Sequence, residues 1–229
     1  GIKGGNWTLS SGVSPDRFQH REEVLNAYEI GIKSDVTETF RVNATVFYYD
    51  YEDYQTFIAT PQGAVSPNPQ VGNSDATVFG GEVELFILPG DNWDIMLGLA
   101  LNDSEVESVE AGSVPIVNAE LPNAPNVSAN YMVRFSPPMG NGELIAQIDG
   151  AYYGDQFLEV TNGSGTVQDA YNVTNLRLGW RNNNWSISAW GKNVFDERYK
   201  AYSLDLGVLG ATSFYAPPAT YGVTLEAYF

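Results

Sequence analysis

The chain of 229 residues contains no cysteine and carries a formal net charge of −17, from 28 acidic and 11 basic residues. The absence of cysteine excludes disulfides and thiolate metal sites. The acidic excess argues against nucleic-acid binding, because phosphate binding needs clustered Lys and Arg. The sequence has no run of about 18 apolar residues and therefore predicts no transmembrane helix.

Apolar and polar residues alternate with a period of two along most of the chain, which is typical of β-strands with one apolar face. In residues 93–101, for example, Trp93, Leu97 and Leu101 fall on one face, and Asp94 falls on the other. No stretch has the clear 3.6-residue period of a helix. The pattern predicts nine strands, near residues 24–34, 38–58, 76–88, 93–102, 125–136, 143–157, 169–181, 185–195 and 217–229.

The predicted connections between these strands alternate strictly between tight turns and long polar loops. The tight turns fall at residues 34–38, 89–92, 136–142 and 182–184, and the long loops at about 59–75, 103–124, 158–168 and 196–216. A transmembrane barrel sorts its loops in this way, because its short turns lie on the periplasmic side and its long loops face outward. A soluble β-sandwich is the alternative, but it gives no reason for such sorting.

Aromatic residues occur next to the tight turns. Trp93 and Trp185 follow a tight turn, whereas Phe135 and Trp180 precede one. All four are therefore predicted to lie at one level, as in the aromatic girdle of a membrane barrel. On the alternative interpretation they are core aromatics of a soluble all-β protein.

Five segments, in order, resemble the C-terminal part of TonB-dependent outer-membrane receptors. They read EEVLNAYEIGIKSDV (22–36), RVNATVFYYDYEDYQ (41–55), WGKNVFDERY (190–199), LDLGVLG (204–210) and YGVTLEAYF (221–229). The resemblance implies an all-β fold, in which residues 1–229 supply about nine C-terminal strands of an antiparallel transmembrane β-barrel with 22 strands. The family often has Pro-Arg before the last strand, whereas this chain has Pro217, Pro218 and Ala219.

The resemblance also implies a transport function in the outer membrane of a Gram-negative bacterium. Receptors of this family take up scarce nutrients, most commonly siderophore-bound iron, and also cobalamin, haem and oligosaccharides. The implied partners are outer-membrane lipid and lipopolysaccharide, the rest of the barrel and its plug, the TonB energy complex, and the barrel assembly machinery. The 229 residues contain no recognisable plug or TonB box, so we expect a fragment or a split subunit. The alternative function is a surface-binding or complex-subunit module, built from a partial or split barrel, that does not transport.

Ligand contacts are expected on the lumen face, near the outer ends of the strands. By alternation, Tyr49, Tyr51 and Asp53 continue the lumen face of the second predicted strand, and Tyr153 and Phe157 that of the sixth. The alternative for each is a packing or girdle role. Tyrosine suits either role, because it has an apolar body and a polar tip.

The last predicted strand, in TYGVTLEAYF, resembles the segment that the barrel assembly machinery reads in outer-membrane proteins. Such proteins commonly end on an alternating strand with a terminal aromatic residue. The strand is predicted to face lipid through Tyr221, Val223, Leu225, Ala227 and Phe229.

The sequence predicts no enzyme, no cofactor and no metal site. P-loop, GxSxG and EF-hand spacings are absent. The single histidine, His20, lies in a polar stretch and is expected to be a solvated loop residue. One external loop is expected to carry five carboxylates, Asp103, Glu105, Glu107, Glu110 and Glu120. These promote solubility or, on the alternative interpretation, bridge divalent cations at the membrane surface.

Overall fold

The computed structural model describes residues 1–7, 19–60, 69–109 and 116–228, in which nine long strands form one antiparallel sheet. The strands are β1 (Glu23–Thr37), β2 (Phe40–Ile58), β3 (Gln70–Ile87), β4 (Trp93–Val109), β5 (Val127–Phe135), β6 (Gly142–Tyr153), β7 (Tyr171–Arg181), β8 (Trp185–Lys192) and β9 (Thr220–Ala227). Each pairs with its neighbours in chain order, so the predicted number and order of long strands are confirmed.

The sheet is open among the described residues, with the short strand Ile2–Lys3 beyond β1 at one edge and β9 at the other. Further short strands occur in the connections, at Asn6–Trp7, Gln19–His20, Ile116–Ala119, Pro138–Met139, Gln156–Phe157, Val167–Gln168, Lys200–Asp205 and Ala211–Tyr215. Short 3₁₀ turns span Ser164–Thr166 and Gly207–Leu209. Within the described ranges, no helix has the length and apolar character needed to cross a membrane.

The pairing register places side chains of like character side by side on each face. The apolar face carries Ile30, Val46, Val83, Leu99, Ala129, Ile148, Leu176, Ala189 and Val223. The polar face carries Glu29, Thr45, Glu82, Asn130, Asp149, Asn175, Arg177, Ser188 and Thr224. The apolar side chains are well exposed, with Ile30 at 78%. Such a pattern is typical of a membrane barrel wall, which is apolar toward lipid and polar toward the lumen.

The predicted girdle residues all lie on the apolar face, at the end of the sheet that carries the tight turns. The rings of Trp93 and Phe135 are in contact, with their centroids 4.5 Å apart. Trp180 donates its indole N–H to the carbonyl oxygen of Met139, at 3.0 Å. Trp185 lies opposite Ala227 at the end of β9. The structure therefore confirms that these four aromatic side chains lie at one level and on one face of the sheet.

The polar face carries three cross-strand ion pairs near the tight turns. Asp35 pairs with Arg41, Asp94 pairs with Arg134, and Glu143 pairs with Arg181. All six side chains are about one-third or more exposed, so solvent screens these ion pairs and they add little to stability.

The last strand, β9, faces as predicted. Tyr221, Val223 and Leu225 are 66–71% exposed on the apolar face, and Leu225 lies opposite Ile187. Ala227 lies on the same face, because it continues the alternation of Tyr221, Val223 and Leu225. Phe229 lies outside the described residues. The role of this strand as an assembly signal stays a prediction.

One polar cluster interrupts the apolar face in the outer half of the sheet. The ring of Tyr131 lies over Gly150, where an added Cβ would come within 2.5 Å of the tyrosine hydroxyl. That hydroxyl is 2.7 Å from Oγ1 of Thr174, and Asn172 donates to the same two oxygen atoms. The missing side chain at Gly150 therefore makes room for a tyrosine that connects β5 to β7.

Removal of this hydroxyl, in Tyr131→Phe, is expected to lower the free energy of unfolding in lipid by about 1 kcal/mol. The reason is that Thr174 and Asn172 lose a partner where water does not replace it. The control is Tyr152→Phe on the same face, because the Tyr152 hydroxyl makes no hydrogen bond within the described residues. Urea unfolding of the receptor in vesicles measures both. Equal stability of the two variants would contradict the assigned network.

Candidate ligand-binding site

The long loops fold over the outer end of the polar face. A buried apolar cluster joins strand ends to loop residues, and its members are Ile58, Ala76, Val106, Ala119, Leu121 and Val160, each at most 8% exposed. Tyr51, Tyr54 and Val78 pack against this cluster from the strands. The loops and strand ends therefore share a core. We call the loop segments over this end of the sheet the loop roof (Ile58–Thr60, Ala119–Ala124, Phe157–Thr166 and Lys200–Tyr215).

Glu159 connects three of these loops. Its carboxylate is almost completely buried and accepts two backbone hydrogen bonds, from Ala59 N to Oε1 at 3.1 Å and from Asp205 N to Oε2 at 2.9 Å. Hydrogen bonds from backbone amides to a carboxylate are among the stronger ones in proteins. Thr60 adds a hydroxyl hydrogen bond to the carbonyl oxygen of Asp205, at 2.8 Å.

Asn162 connects a fourth loop to the same segment. Its Oδ1 accepts a hydrogen bond from Glu120 N at 2.7 Å, and its Nδ2 donates to the carbonyl oxygen of Glu120 at 3.0 Å. The backbone of Asn162 has a positive φ of 49°, a conformation that asparagine tolerates better than most residues. The β6–β7 loop is therefore the hub of the loop roof.

The segment WGKNVFDERY closes the base of the loop between β8 and β9. Asn193 accepts a hydrogen bond from Glu197 N and donates to the carbonyl oxygens of Glu197 and Pro217. Asp196 accepts from Ala219 N at 2.8 Å. These bonds join the start of the loop to its end and bring Tyr199 back toward β7.

Three tyrosines stack at the outer end of the polar face. The ring centroids of Tyr153 and Tyr171 are 5.2 Å apart, and those of Tyr171 and Tyr199 are 4.2 Å apart. A recess of about 330 Å³ lies beside this tyrosine stack, with Asp149 and Asn175 deeper along the same face. Asn175 donates to Asp149 Oδ2 at 2.8 Å. The recess thus offers aromatic surfaces above a fixed carboxylate, which suits a ligand with both flat and polar parts.

The structure brings only one of the five predicted ligand residues, Tyr153, into this stack. Tyr49 lies on the polar face as predicted, where its hydroxyl donates to Glu29 Oε1 at 2.7 Å and its ring stacks on Phe47. Tyr51 meets Tyr54 edge to face against the loop-roof core. Ligand contact stays a prediction for all five residues, Tyr49, Tyr51, Asp53, Tyr153 and Phe157.

The predicted positions of Asp53 and Phe157 were wrong. A bulge between Tyr51 and Tyr54 interrupts the alternation of β2, and Asp53 adopts a positive φ of 55°. Its carboxylate accepts a hydrogen bond from Arg21 Nε at 2.9 Å, instead of continuing the lumen face. Phe157 is not part of β6, which ends at Tyr153. It lies in the short loop strand Gln156–Phe157.

Sequence reasoning missed Tyr171, Tyr199, Glu159 and Asn162. Tyr171 begins β7 on the same face as Tyr153 and lies directly opposite it, so correct strand bounds would have predicted that pair. The other three depend on how loops return, for which the sequence holds no periodic signal.

Two further expectations need correction. His20 is 8% exposed, rather than solvated, and lies in a short strand opposite Asn6. Asp103, Glu105 and Glu107 lie in β4, which continues to Val109 and does not become a loop at residue 103. Of the other two carboxylates, Glu120 follows the strand Ile116–Ala119, and Glu110 lies outside the described residues. In the part of the chain that the structure describes, no group of three or more His, Asp or Glu residues could hold a metal ion.

The sheet defines the class of protein. One apolar face with a girdle, one polar face, tight turns at one end and folded loops at the other are the features of a transmembrane β-barrel wall. The described residues form part of such a wall.

The profile of the family described as "TonB dependent receptor-like, beta-barrel" matches residues 21–194, and the chain belongs to this family. The family consists of transport receptors of the Gram-negative outer membrane, so the apolar face contacts lipid and the polar face lines the lumen. The predicted family, fold and location are therefore confirmed.

Individual relatives agree with this assignment. The chain is 25% identical over 217 residues to the ferric-pyoverdine M114 receptor PbuA of Pseudomonas sp. (strain M114), covering 90% of this chain and 24% of that protein. The ferric yersiniabactin uptake receptor FyuA from Yersinia pestis superposes with a TM-score of 0.81 at 22% identity, covering 100% of this chain and 34% of FyuA. The ferric-catecholate import receptor Fiu from E. coli K12 gives a TM-score of 0.68 at 20% identity, covering 98% of this chain and 30% of Fiu. The chain thus spans about a quarter to a third of these relatives.

Proposed function

We propose that this chain forms part of the barrel wall of a receptor that takes up a siderophore-bound iron complex across the outer membrane. The names of the three relatives support this substrate class, because each refers to a ferric complex. Uptake would be energised through the plug and the TonB complex, as in the family. Family membership favours this receptor over a separate surface-binding module.

The tyrosine stack is the single observation that supports particular residues as the substrate contacts. Tyr153, Tyr171 and Tyr199 present flat apolar surfaces at the outer end of the lumen wall. Asp149 adds a carboxylate at the base of the recess. The organic part of a ferric siderophore combines flat groups with hydrogen-bonding groups, and tyrosines suit both because of their rings and hydroxyls.

The test is the substitution Tyr171→Ala in the full-length receptor, expressed in a strain that has no other siderophore receptor. Loss of the central ring of the stack should raise the substrate concentration for half-maximal uptake by about threefold to tenfold, since an aromatic pair contributes about 0.5–1.5 kcal/mol. Uptake of ⁵⁵Fe from a panel of ferric siderophores measures this. The matched control is Tyr152→Ala. Tyr152 is next to Tyr153 in β6, but its side chain lies on the lipid-facing side of the sheet.

Equal effects of the two substitutions would mean that the stack does not contact the substrate. Binding of ferric siderophores without uptake, in a receptor present at normal surface abundance, would favour the surface-binding alternative.

A further inference from the structure

Two cations lie close together on the lumen face of β7 and β8. Arg177 lies directly opposite Trp190 in the pairing of these strands, and Lys192 follows Trp190 two residues later on the same face. Trp190 donates its indole N–H to Oγ1 of Thr224 at 3.1 Å. The Lys192 ammonium lies 5.8 Å from the centroid of the Trp190 ring. We call Arg177, Trp190 and Lys192 the basic strip.

The two cations of the basic strip have no anionic partner in the part of the chain that the structure describes. Arg177 and Lys192 are exposed. Neither forms an ion pair with another described residue, in contrast to Arg134 and Arg181 on the same face. The contact with the indole ring attracts the Lys192 ammonium but does not neutralise its charge. The basic strip is therefore a patch of uncompensated positive charge, in a chain whose formal net charge is −17.

A carboxylate does lie on the neighbouring strand, but neutral amides occupy it. Asp149 accepts hydrogen bonds from Gln147 Nε2 at Oδ1 and from Asn175 Nδ2 at Oδ2, both at 2.8 Å. Asn175 is itself held in place, because its Oδ1 accepts a hydrogen bond from Asn193 N at 3.1 Å. Arg177 lies two residues from Asn175 and directly opposite Gln147, yet its guanidinium does not share this carboxylate. The guanidinium is thus left available to an anion that approaches from the lumen.

The basic strip lies well below the tyrosine stack. On β7, Arg177 is six residues from Tyr171 at the outer end and four residues from Arg181 at the rim with the tight turns. At about 3.4 Å per residue, these separations are roughly 20 Å and roughly 14 Å along the strand. A ligand at the tyrosine stack therefore lies far from Arg177, and another anion is needed at this depth.

The 22-stranded transporters of the outer membrane have a plugged lumen. Contact with a plug removes water from the lumen wall, and a cation that loses its water without gaining a partner is strongly unfavourable. We propose that the basic strip binds carboxylates on the surface of the plug domain. The planar guanidinium of Arg177 suits a carboxylate through two parallel hydrogen bonds. This proposal does not depend on the transported substrate.

The experiment is zero-length cross-linking of the full-length receptor in nanodiscs. A carbodiimide condenses an amine with a carboxylate in contact with it, so the reagent links a lysine to its partner in an ion pair. Arg177→Lys supplies the amine at the first position, and Lys192 of the unchanged receptor supplies it at the second. Mass spectrometry of the linked peptides is expected to join these positions to Asp or Glu residues of the plug.

Two controls calibrate the reaction. Arg181→Lys keeps a cation beside Glu143 at the rim and should give a link between these two positions. Lys200 donates to two backbone carbonyl oxygens and should stay unlinked. Because Lys192 needs no substitution, it tests the basic strip even if Arg177→Lys impairs folding.

The variant Arg177→Gln tests whether the contact holds the plug. Loss of the cation leaves a plug carboxylate without its partner, so hydrogen exchange in the linked plug segment should become roughly tenfold faster or more. The matched control is Arg198→Gln, because Arg198 lies over the ring of Tyr215, outside the basic strip. Exchange in the plug segment should not change in this control.

Three results would overturn the proposal. In the first, the controls behave as expected but neither position of the basic strip links to the plug. In the second, both positions link only to barrel carboxylates such as Asp149. In the third, Arg177→Gln impairs uptake of an anionic ferric complex without changing exchange in the plug, which would assign the cation to the substrate.

Discussion

Replacement of Glu159 by alanine is expected to release the external loops from one another. The variant removes the acceptor for the backbone amides of Ala59 and Asp205. A buried amide that loses its partner costs about 1–3 kcal/mol, so each amide should exchange with solvent roughly tenfold to a hundredfold faster. Hydrogen exchange of the intact receptor, read at Ala59 and Asp205, measures the effect.

A graded series and a control test this assignment. Glu159→Gln retains one acceptor oxygen and should give an intermediate result. Glu120→Ala removes another carboxylate from the loop roof, but Asn162 holds Glu120 through its backbone, so exchange at Ala59 should not change. If the amides of Ala59 and Asp205 stay protected in Glu159→Ala, the carboxylate is not what connects these loops.

Replacement of Leu97 by arginine is expected to cost about 2–4 kcal/mol of folding free energy in lipid, because this position faces the hydrocarbon near its middle. Leu97 lies between Leu85 and Tyr131 on the lipid-facing side. Urea unfolding of the full-length receptor in vesicles gives the value.

The matched control is Met96→Arg, since Met96 is the adjacent residue, similar in size, and faces the lumen beside Met132. Its cost should be much smaller. Gly98, on the same side as Met96, is a poorer control, because an added Cβ there would lie 2.5 Å from Nδ2 of Asn130. Equal costs at Leu97 and Met96 would show that the two faces are wrongly assigned.

The membrane-spanning part of the fold was predictable from sequence, because strand alternation is a local signal. A residue such as Leu97 shares its face with Leu99 whatever the distant loops do. Prediction failed where the strands leave the hydrocarbon. Beyond Leu101 both faces of β4 carry polar residues. The sequence therefore shows no apolar–polar alternation there from which the end of the strand at Val109 could be predicted.

The candidate site was only partly predictable, for two physical reasons. A bulge of one residue reverses the facing of every later side chain, and the bulge before Tyr54 removed Asp53 from the lumen wall. The partner of Tyr171 in the stack, Tyr199, arrives only because Asn193 and Asp196 turn the chain back. Such returns depend on contacts between distant segments, which alternation does not encode.

The attachment of three other loops to the β6–β7 loop has a thermodynamic consequence for any ligand that enters beneath them. Independent loops would each lose conformational freedom when the ligand arrives, at about 0.5–1.5 kcal/mol for every flexible side chain that becomes fixed. Glu159 and Asn162 already restrict these loops through hydrogen bonds within the fold. That part of the ordering entropy is therefore lost during folding, and a ligand that entered beneath the loops would meet a preorganised surface.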